Sequence, residues 1–194
     1  MKVKKVVLVM LVLAIIASST GIASAYIYNR QTTVNYAIAN GEKNVPGSWY
    51  FNTGGGDCTN FVSHSLKAGG WTQRKTGMIW YYDSYLWRQY SNSWTSVEQF
   101  RDFVILSGRG REIPFSRSDV WTRPTQFTVG DVMQADWTSD GKWDHSMIIT
   151  KIDGTDVYVT YHSNNRVNKK VSDLIREQPE IQFRVLLLKD THNY

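Results

Sequence analysis

A single cysteine, Cys58, stands among the 194 residues, which excludes an intramolecular disulfide and with it any small fold stapled by such bridges. Nor is there an internal repeat or a low-complexity segment, so solenoids and arrays are set aside. Excess charge is scarce as well. The formal net charge of +5 includes Lys2, Lys4 and Lys5, and without them the chain is close to neutral. No stripe of basic residues interleaves with stacking aromatics, so no nucleic-acid partner is expected. After residue 17 no apolar run approaches the length of a membrane span. What is present is 42% hydrophobic and 13% aromatic residues, enough for one cored domain.

The first 25 residues have the zones of a secretory signal peptide: lysines at 2, 4 and 5, an apolar core from Val6 to Ala17, and small residues at Ala23 and Ala25. Cleavage is expected before Tyr26, leaving 26–194 as the mature domain without stable membrane insertion; an uncleaved N-terminal anchor is the competing reading. The cleavage region holds no cysteine to accept a lipid. Export sharpens the meaning of Cys58, because an unpaired extracellular thiol is buried and inert, bonded to another molecule, or kept for its reactivity.

Cys58 follows Gly54-Gly55-Gly56-Asp57 and precedes Thr59-Asn60-Phe61-Val62, where glycine gives way to apolar residues at helical spacing. A helix is expected from about Cys58 to the glycine stop at Gly69-Gly70. A thiol at a helix N-terminus faces unpaired amides and the positive end of the dipole, so a lowered pKa and an oxyanion cradle are both expected there. The plain alternative is a small buried packing residue.

Elsewhere the pattern predicts a short helix ending near Asn40-Gly41 and one helix from about Asn92 to Ser107. Arg109 and Arg111 are expected on solvent. Strands are predicted over 129–137, 145–152, 157–162 and 181–188, with an Asp153-Gly154 hairpin turn; 115–126 is read as irregular, 163–170 as a polar loop and 171–177 as a short helix or turn. Trp71, Trp80, Tyr81, Tyr82, Tyr85, Trp87 and Tyr90 form either core or the wall of a groove for a flat or glycan-bearing ligand.

A cysteine nucleophile needs a base, and histidine suits that task because it titrates near neutrality. His192 is close to the end of the sequence, and His64 lies on the cysteine helix turned roughly 120° from the sulfur, at roughly 100° per residue. His145, beside Asp144 at the opening of a strand, is the stronger candidate. A zinc site from Cys58, Asp144, His145 and His162 has no ligand pair at the usual spacing, so no metal or other cofactor is expected.

The succession Gly-Gly-Asp-Cys-Thr-Asn-Phe, then Gly130-Asp131-Val132, then Asp144-His145-Ser146-Met147-Ile148-Ile149-Thr150, then Tyr161-His162-Ser163-Asn164 resembles the putative amidase domain family of secreted Gram-positive bacterial proteins. The resemblance runs from about Tyr28 to Asn168. It implies an α+β, circularly permuted papain-like fold related to NlpC-type endopeptidases and CHAP amidases, with N-terminal helices packed on an antiparallel β-sheet. It also implies cysteine-dependent hydrolysis of an amide bond, in a peptide or peptidoglycan substrate of the cell wall, by a secreted or wall-associated protein. On that likeness Cys58 is the nucleophile, His145 the base, and His162 or Asn164 a third residue that orients His145. Strand parity puts 162 and 164 on one side and does not choose between them. Asp57 would organise the nucleophile loop. The alternative is a secreted module that binds a peptide or glycan on the same scaffold without turnover.

Overall fold

The computed structural model describes residues 26–53, 56–84, 89–119 and 126–192. The expected signal segment, Gly54 and Gly55 of the glycine run, and Tyr85 and Trp87 of the aromatic stretch lie outside the described residues.

The cysteine helix forms where its sequence predicts it, as α3 (Cys58–Ala68), and the chain leaves it through Gly69 and Gly70, the latter at φ 98°. Before it come β1 (Tyr26–Ile27), α1 (Arg30–Asn40) and α2 (Ser48–Asn52). Asn29 caps α1, its side chain accepting from the Thr32 amide at 2.9 Å. After α3 come β2 (Tyr82–Asp83), β3 (Gln89–Tyr90), α4 (Asn92–Thr95) and α5 (Val97–Leu106). The single helix expected from Asn92 is thus two, because Ser96 is extended (φ −101°, ψ 136°) and breaks the ladder between them.

The rest is a sheet with two helical flanks. Strands β4 (Gly110–Phe115), β5 (Val132–Asp136), β6 (His145–Asp153), β7 (Asp156–Tyr161), β8 (Arg166–Lys170) and β9 (Gln182–Leu188) pair antiparallel in the order β4-β9-β5-β6-β7-β8. The segment expected as a polar loop at 163–170 therefore contains an edge strand, and a second edge strand occupies 110–115. Edges suit them: β8 is polar and β4 contains Pro114, both unsuited to a buried central strand. Helix α6 (Val171–Glu177) follows β8, and β10 (Thr191–His192) pairs with β1.

Strand alternation sorts the core. Val132, Ile148, Leu186 and Leu188 face the N-terminal helices, joining Phe61, Val62, Leu66, Trp71, Trp80, Trp94 and Phe103. Their neighbours Met133, Ala135, Met147, Ile149 and Val185 face the opposite way, where Phe115, Phe183, Val171 and Leu174 close a second cluster. Burial on both faces explains why residues 145–150 are continuously buried instead of alternating with solvent. Within the described part of the aromatic stretch, Trp71, Trp80 and Tyr82 are core. Arg109 corrects the solvent expectation. It is fully buried, its guanidinium 4.7 Å from the Trp71 ring centre and 5.0 Å from that of Phe103, and its Nη2 donates to the Thr72 carbonyl at 3.2 Å.

Beside the start of β5 and the end of β9, Arg30 gathers distant segments. It donates to the carboxylates of Asp131 (2.7 Å) and Asp190 (2.6 Å) and to the Leu188 carbonyl. Among the described residues no helix is long and apolar enough to cross a membrane.

Candidate active site

Helix α3 lies against β6, and a chain of polar side chains sets their relation. Thr59 donates to Ser146 at 3.0 Å; Gln134 donates to Ser146 (3.1 Å) and to the Val97 carbonyl (2.9 Å), and accepts from Arg184 (2.7 Å). All four of these side chains belong to buried residues, so the bonds fix register between helix and sheet without loss to solvent. They bring the start of α3 to the start of β6.

The Cys58 sulfur rests there against the backbone on both sides of His145. It is 3.8 Å from the Asp144 carbonyl, and the Ser146 amide donates toward it. Cys58 is buried, and burial pushes the thiol above its ordinary pKa; the Ser146 amide and the Thr59 hydroxyl and amide oppose this without cancelling it. The lowered pKa expected at a helix N-terminus is therefore not what the resting structure gives, because desolvation outweighs the hydrogen bonds. His145 is buried as well, between Tyr161 and Trp137, at ring-centre distances of 4.9 and 5.3 Å. Burial drives its pKa down to about 4, the Asp57 carboxylate opposing. At neutral pH Cys58 is a thiol and His145 an uncharged imidazole whose Nε2 is buried with no hydrogen-bond partner.

His162 has a different station from the one expected. Its Nδ1 meets Asp57 Oδ2 at 3.0 Å, its Nε2 meets the Asn40 carbonyl at 3.0 Å, and its ring stacks on Phe61 at 4.1 Å. Both ring nitrogens are thus engaged, and neither is turned to His145. The physical reason is parity across β6 and β7. Ile148 pairs with Thr160, so His162 projects with Ser146 toward the helices, whereas His145 projects with Met147 and Tyr161 to the other face. Asn164 is exposed at φ 82°, its carbonyl accepting from Arg166 at 3.2 Å, and has no recorded bond to His145.

Asp57 is the hub of this network. It occupies the N-cap of α3 without capping it. Its carboxylate turns sideways to accept from His162 and from the Ser48 hydroxyl, leaving the first-turn amides of α3 free of it. Burial alone would raise this carboxyl, but the bonds from His162 and Ser48 prevail and hold it below its ordinary value. Its own amide donates to Ser163 Oγ at 2.9 Å. Gly56, at φ 115°, passes so close to the same loop that an added Cβ would lie 2.6 Å from Ser163 Oγ, which with the positive φ demands glycine. Ser48 and the Asn40 carbonyl were not singled out from sequence; Ser163 entered only as part of the Tyr161-His162-Ser163-Asn164 motif.

His64 is a core histidine. Nε2–H donates to the Pro46 carbonyl at 2.9 Å, Trp94 and Tyr82 meet its ring edge to face, and burial lowers its pKa to about 4. Among the described residues no three of His, Cys, Asp and Glu are gathered as a metal site would require.

Together these features define an α+β protein with a cysteine at a helix N-terminus lodged against a histidine-bearing strand. Residues 27–186 match the family described as Putative amidase domain, and the chain belongs to that family. Two relatives come from Bacillus subtilis (strain 168). Uncharacterized protein YjcM is 31% identical over 121 residues, which cover 58% of this chain and 25% of YjcM. Uncharacterized protein YhbB is 30% identical over 132 residues, 66% of this chain and 39% of YhbB. The match thus spans well under half of either relative. No solved structure matches the chain significantly.

Proposed function

We propose that this chain is a secreted cysteine amidase or peptidase that hydrolyses an amide bond in cell-wall peptides, on a circularly permuted papain-like scaffold of the NlpC and CHAP type. The family supports an amidase, and the observation that carries the cysteine chemistry is the sulfur seated against the backbone on both sides of His145. In this reading residues 1–25 are a cleaved export signal and 26–194 the working domain, in keeping with relatives from a Gram-positive bacterium.

His145 takes the thiol proton as sulfur attacks the amide carbonyl; the C–S bond forms while the carbonyl π bond becomes an oxyanion. First-turn amides of α3, not claimed by Asp57, receive that oxyanion. Collapse breaks the C–N bond, and His145 returns its proton to the departing amine. Water, deprotonated by His145, then cleaves the thioester and restores the thiol. Proton transfer from neutral thiol to neutral imidazole creates two charges in a buried place, and the Asp57 carboxylate lowers the cost of the cationic one. His162 serves this chemistry by holding Asp57 and hence the start of α3. Asn164 is left as a residue of the neighbouring loop.

The deciding experiment is mass spectrometry of muropeptides released by the mature protein and by Cys58→Ala, with EDTA present throughout. Release by the parent alone supports the proposal; release by both, or a loss in EDTA that zinc restores, overturns it. A non-catalytic peptide- or glycan-binding module is the second reading, favoured by the burial of both Cys58 and His145. It expects binding to persist with no thioester ever captured on Cys58.

A further inference from the structure

Two concavities meet at the nucleophile loop. One, about 380 Å³, is lined by Tyr50, Phe51, Thr53, Gly56, Tyr90 and Thr95, and its rings are mutually packed, with Phe51 and Tyr90 centres 4.9 Å apart. The other, about 270 Å³, is predominantly polar and is lined by Trp137, Tyr161, Ser163, Asn164, Arg166 and Glu177. Gly56 of the first touches Ser163 of the second, as the 2.6 Å approach to a hypothetical Cβ shows, and Cys58 lies two residues further on. Trp137 and Tyr161 of the second are the same rings that enclose His145. The cysteine and histidine are thus bracketed by the two hollows.

The polar hollow holds one cationic and one acidic side chain. Glu177 Oε1 is paired with Lys169 at 2.5 Å, whereas Arg166 spends Nη1 on the carbonyls of Asn164 (3.2 Å) and Asn165 (2.9 Å) and has no acidic side chain among its recorded bonds. Those two carbonyls orient the guanidinium, and its remaining donors form a fork suited to a carboxylate. The loop that presents it holds two consecutive non-glycine residues at positive φ, Ser163 at 61° and Asn164 at 82°. Such strain costs free energy, and it gathers at ligand clamps.

We propose that this polar hollow is a substrate subsite for a carboxylate carried by the peptide on one side of the scissile amide, with Arg166 as the specificity-determining contact. The proposal rests on the amide-hydrolase reading above and adds the chemistry of the substrate. The carboxylate can be a chain terminus or a side chain, and the test separates them.

The probes are acetyl-Ala-Ala-Ala with a free terminal carboxylate, acetyl-Ala-Glu-Ala amide, and acetyl-Ala-Ala-Ala amide, titrated calorimetrically into Cys58→Ala protein. At least one carboxylate peptide should bind about tenfold more tightly than the fully amidated one, as charge-assisted hydrogen bonds warrant. Adding Arg166→Ala should erase that preference, and Arg166→Lys should restore part of it. Which carboxylate is favoured tells terminus from side chain. A preference that survives Arg166→Ala, or no preference or no binding at all, overturns the subsite. Hydrolysis by the parent is read separately. Turnover without charge preference leaves the cysteine chemistry standing, whereas charge-selective binding with no turnover keeps the subsite and removes the hydrolase.

Discussion

His145 opens β6 and His162 directly follows the neighbouring β7, both hidden from solvent, yet their surroundings differ in kind. His162 has an acceptor for each ring nitrogen and an anionic partner in Asp57; His145 has rings on its flanks and a buried Nε2 without a bond. A polar group with every valence filled holds structure together. One left unsatisfied costs stability, and that cost is tolerated where a reacting molecule is to supply the missing partner.

The comparison is broken most forcefully at the reaction itself. Cys58→Ala and His145→Ala should each lower turnover by about a thousandfold or more on whatever substrate the parent cleaves. Steady-state kinetics on the two variants is the measurement, and activity retained in His145→Ala would remove it from the mechanism.

Stability should invert the ranking. His162→Ala leaves the Asp57 carboxylate buried beside an emptied site, at a cost of about 3–5 kcal/mol, or on the order of 10 °C in melting temperature. His145→Phe removes an unpartnered nitrogen and keeps ring contacts with Tyr161 and Trp137, so it should be neutral or stabilising. Thermal denaturation of both variants decides, and equal losses would dissolve the distinction.

Acid sharpens it further. His64 and His145 both have folded pKa values of about 4, below the ordinary 6.5, so the unfolded chain binds more protons between those values. The stability they lend is complete above pH 6.5 and falls as pH drops through that window, levelling off below about 4; together they account for a few kcal/mol. Urea titrations from pH 7 to 4 should show the decline, with a shallower slope in His145→Phe.

The finest test concerns the thiol. Because burial holds Cys58 above its ordinary value and His145 is uncharged, alkylation by iodoacetamide should be slow at mildly acidic pH and still rising at pH 9. A plateau below pH 7 would instead reveal a thiolate–imidazolium pair.

Much of the frame was legible because its signals are local. Glycines before Cys58 and apolar residues after it mark α3, and Asp153-Gly154 between β-branched runs marks the β6–β7 hairpin. What escaped depends on distant partners. Arg109 looks like a surface residue until Trp71, Trp80 and Phe103 fold around it. Strands β4 and β8 are too polar, or too interrupted by Pro114, to show a core pattern, because edges need none. At the site, Cys58 and His145 could be named from residue type and setting. The role of His162 could not, since its acceptors are a carboxylate 105 residues away and a backbone carbonyl 122 residues away, and a carbonyl leaves no trace in side-chain identity. The thiol pKa was misjudged for a related reason: a helix dipole is local, whereas desolvation is set by everything packed around the sulfur.

The pairing of β1 with β10 and the clasp of Arg30 on Asp190, 160 residues along, bring Tyr26 and His192 together and close the described residues nearly into a ring. Closing so long a loop carries an entropic charge that grows only with the logarithm of its length, about (3/2)RT ln n, so the contact is affordable but has little to hasten it. In folding it is expected among the last events, once β5 to β9 have fixed where its two ends lie. The ring also makes the order of elements along the chain separable from their order in space. A short linker from His192 to Tyr26, with new ends cut at the Gly154 turn, should yield a permuted protein with the same sheet and the same seating of Cys58 against β6.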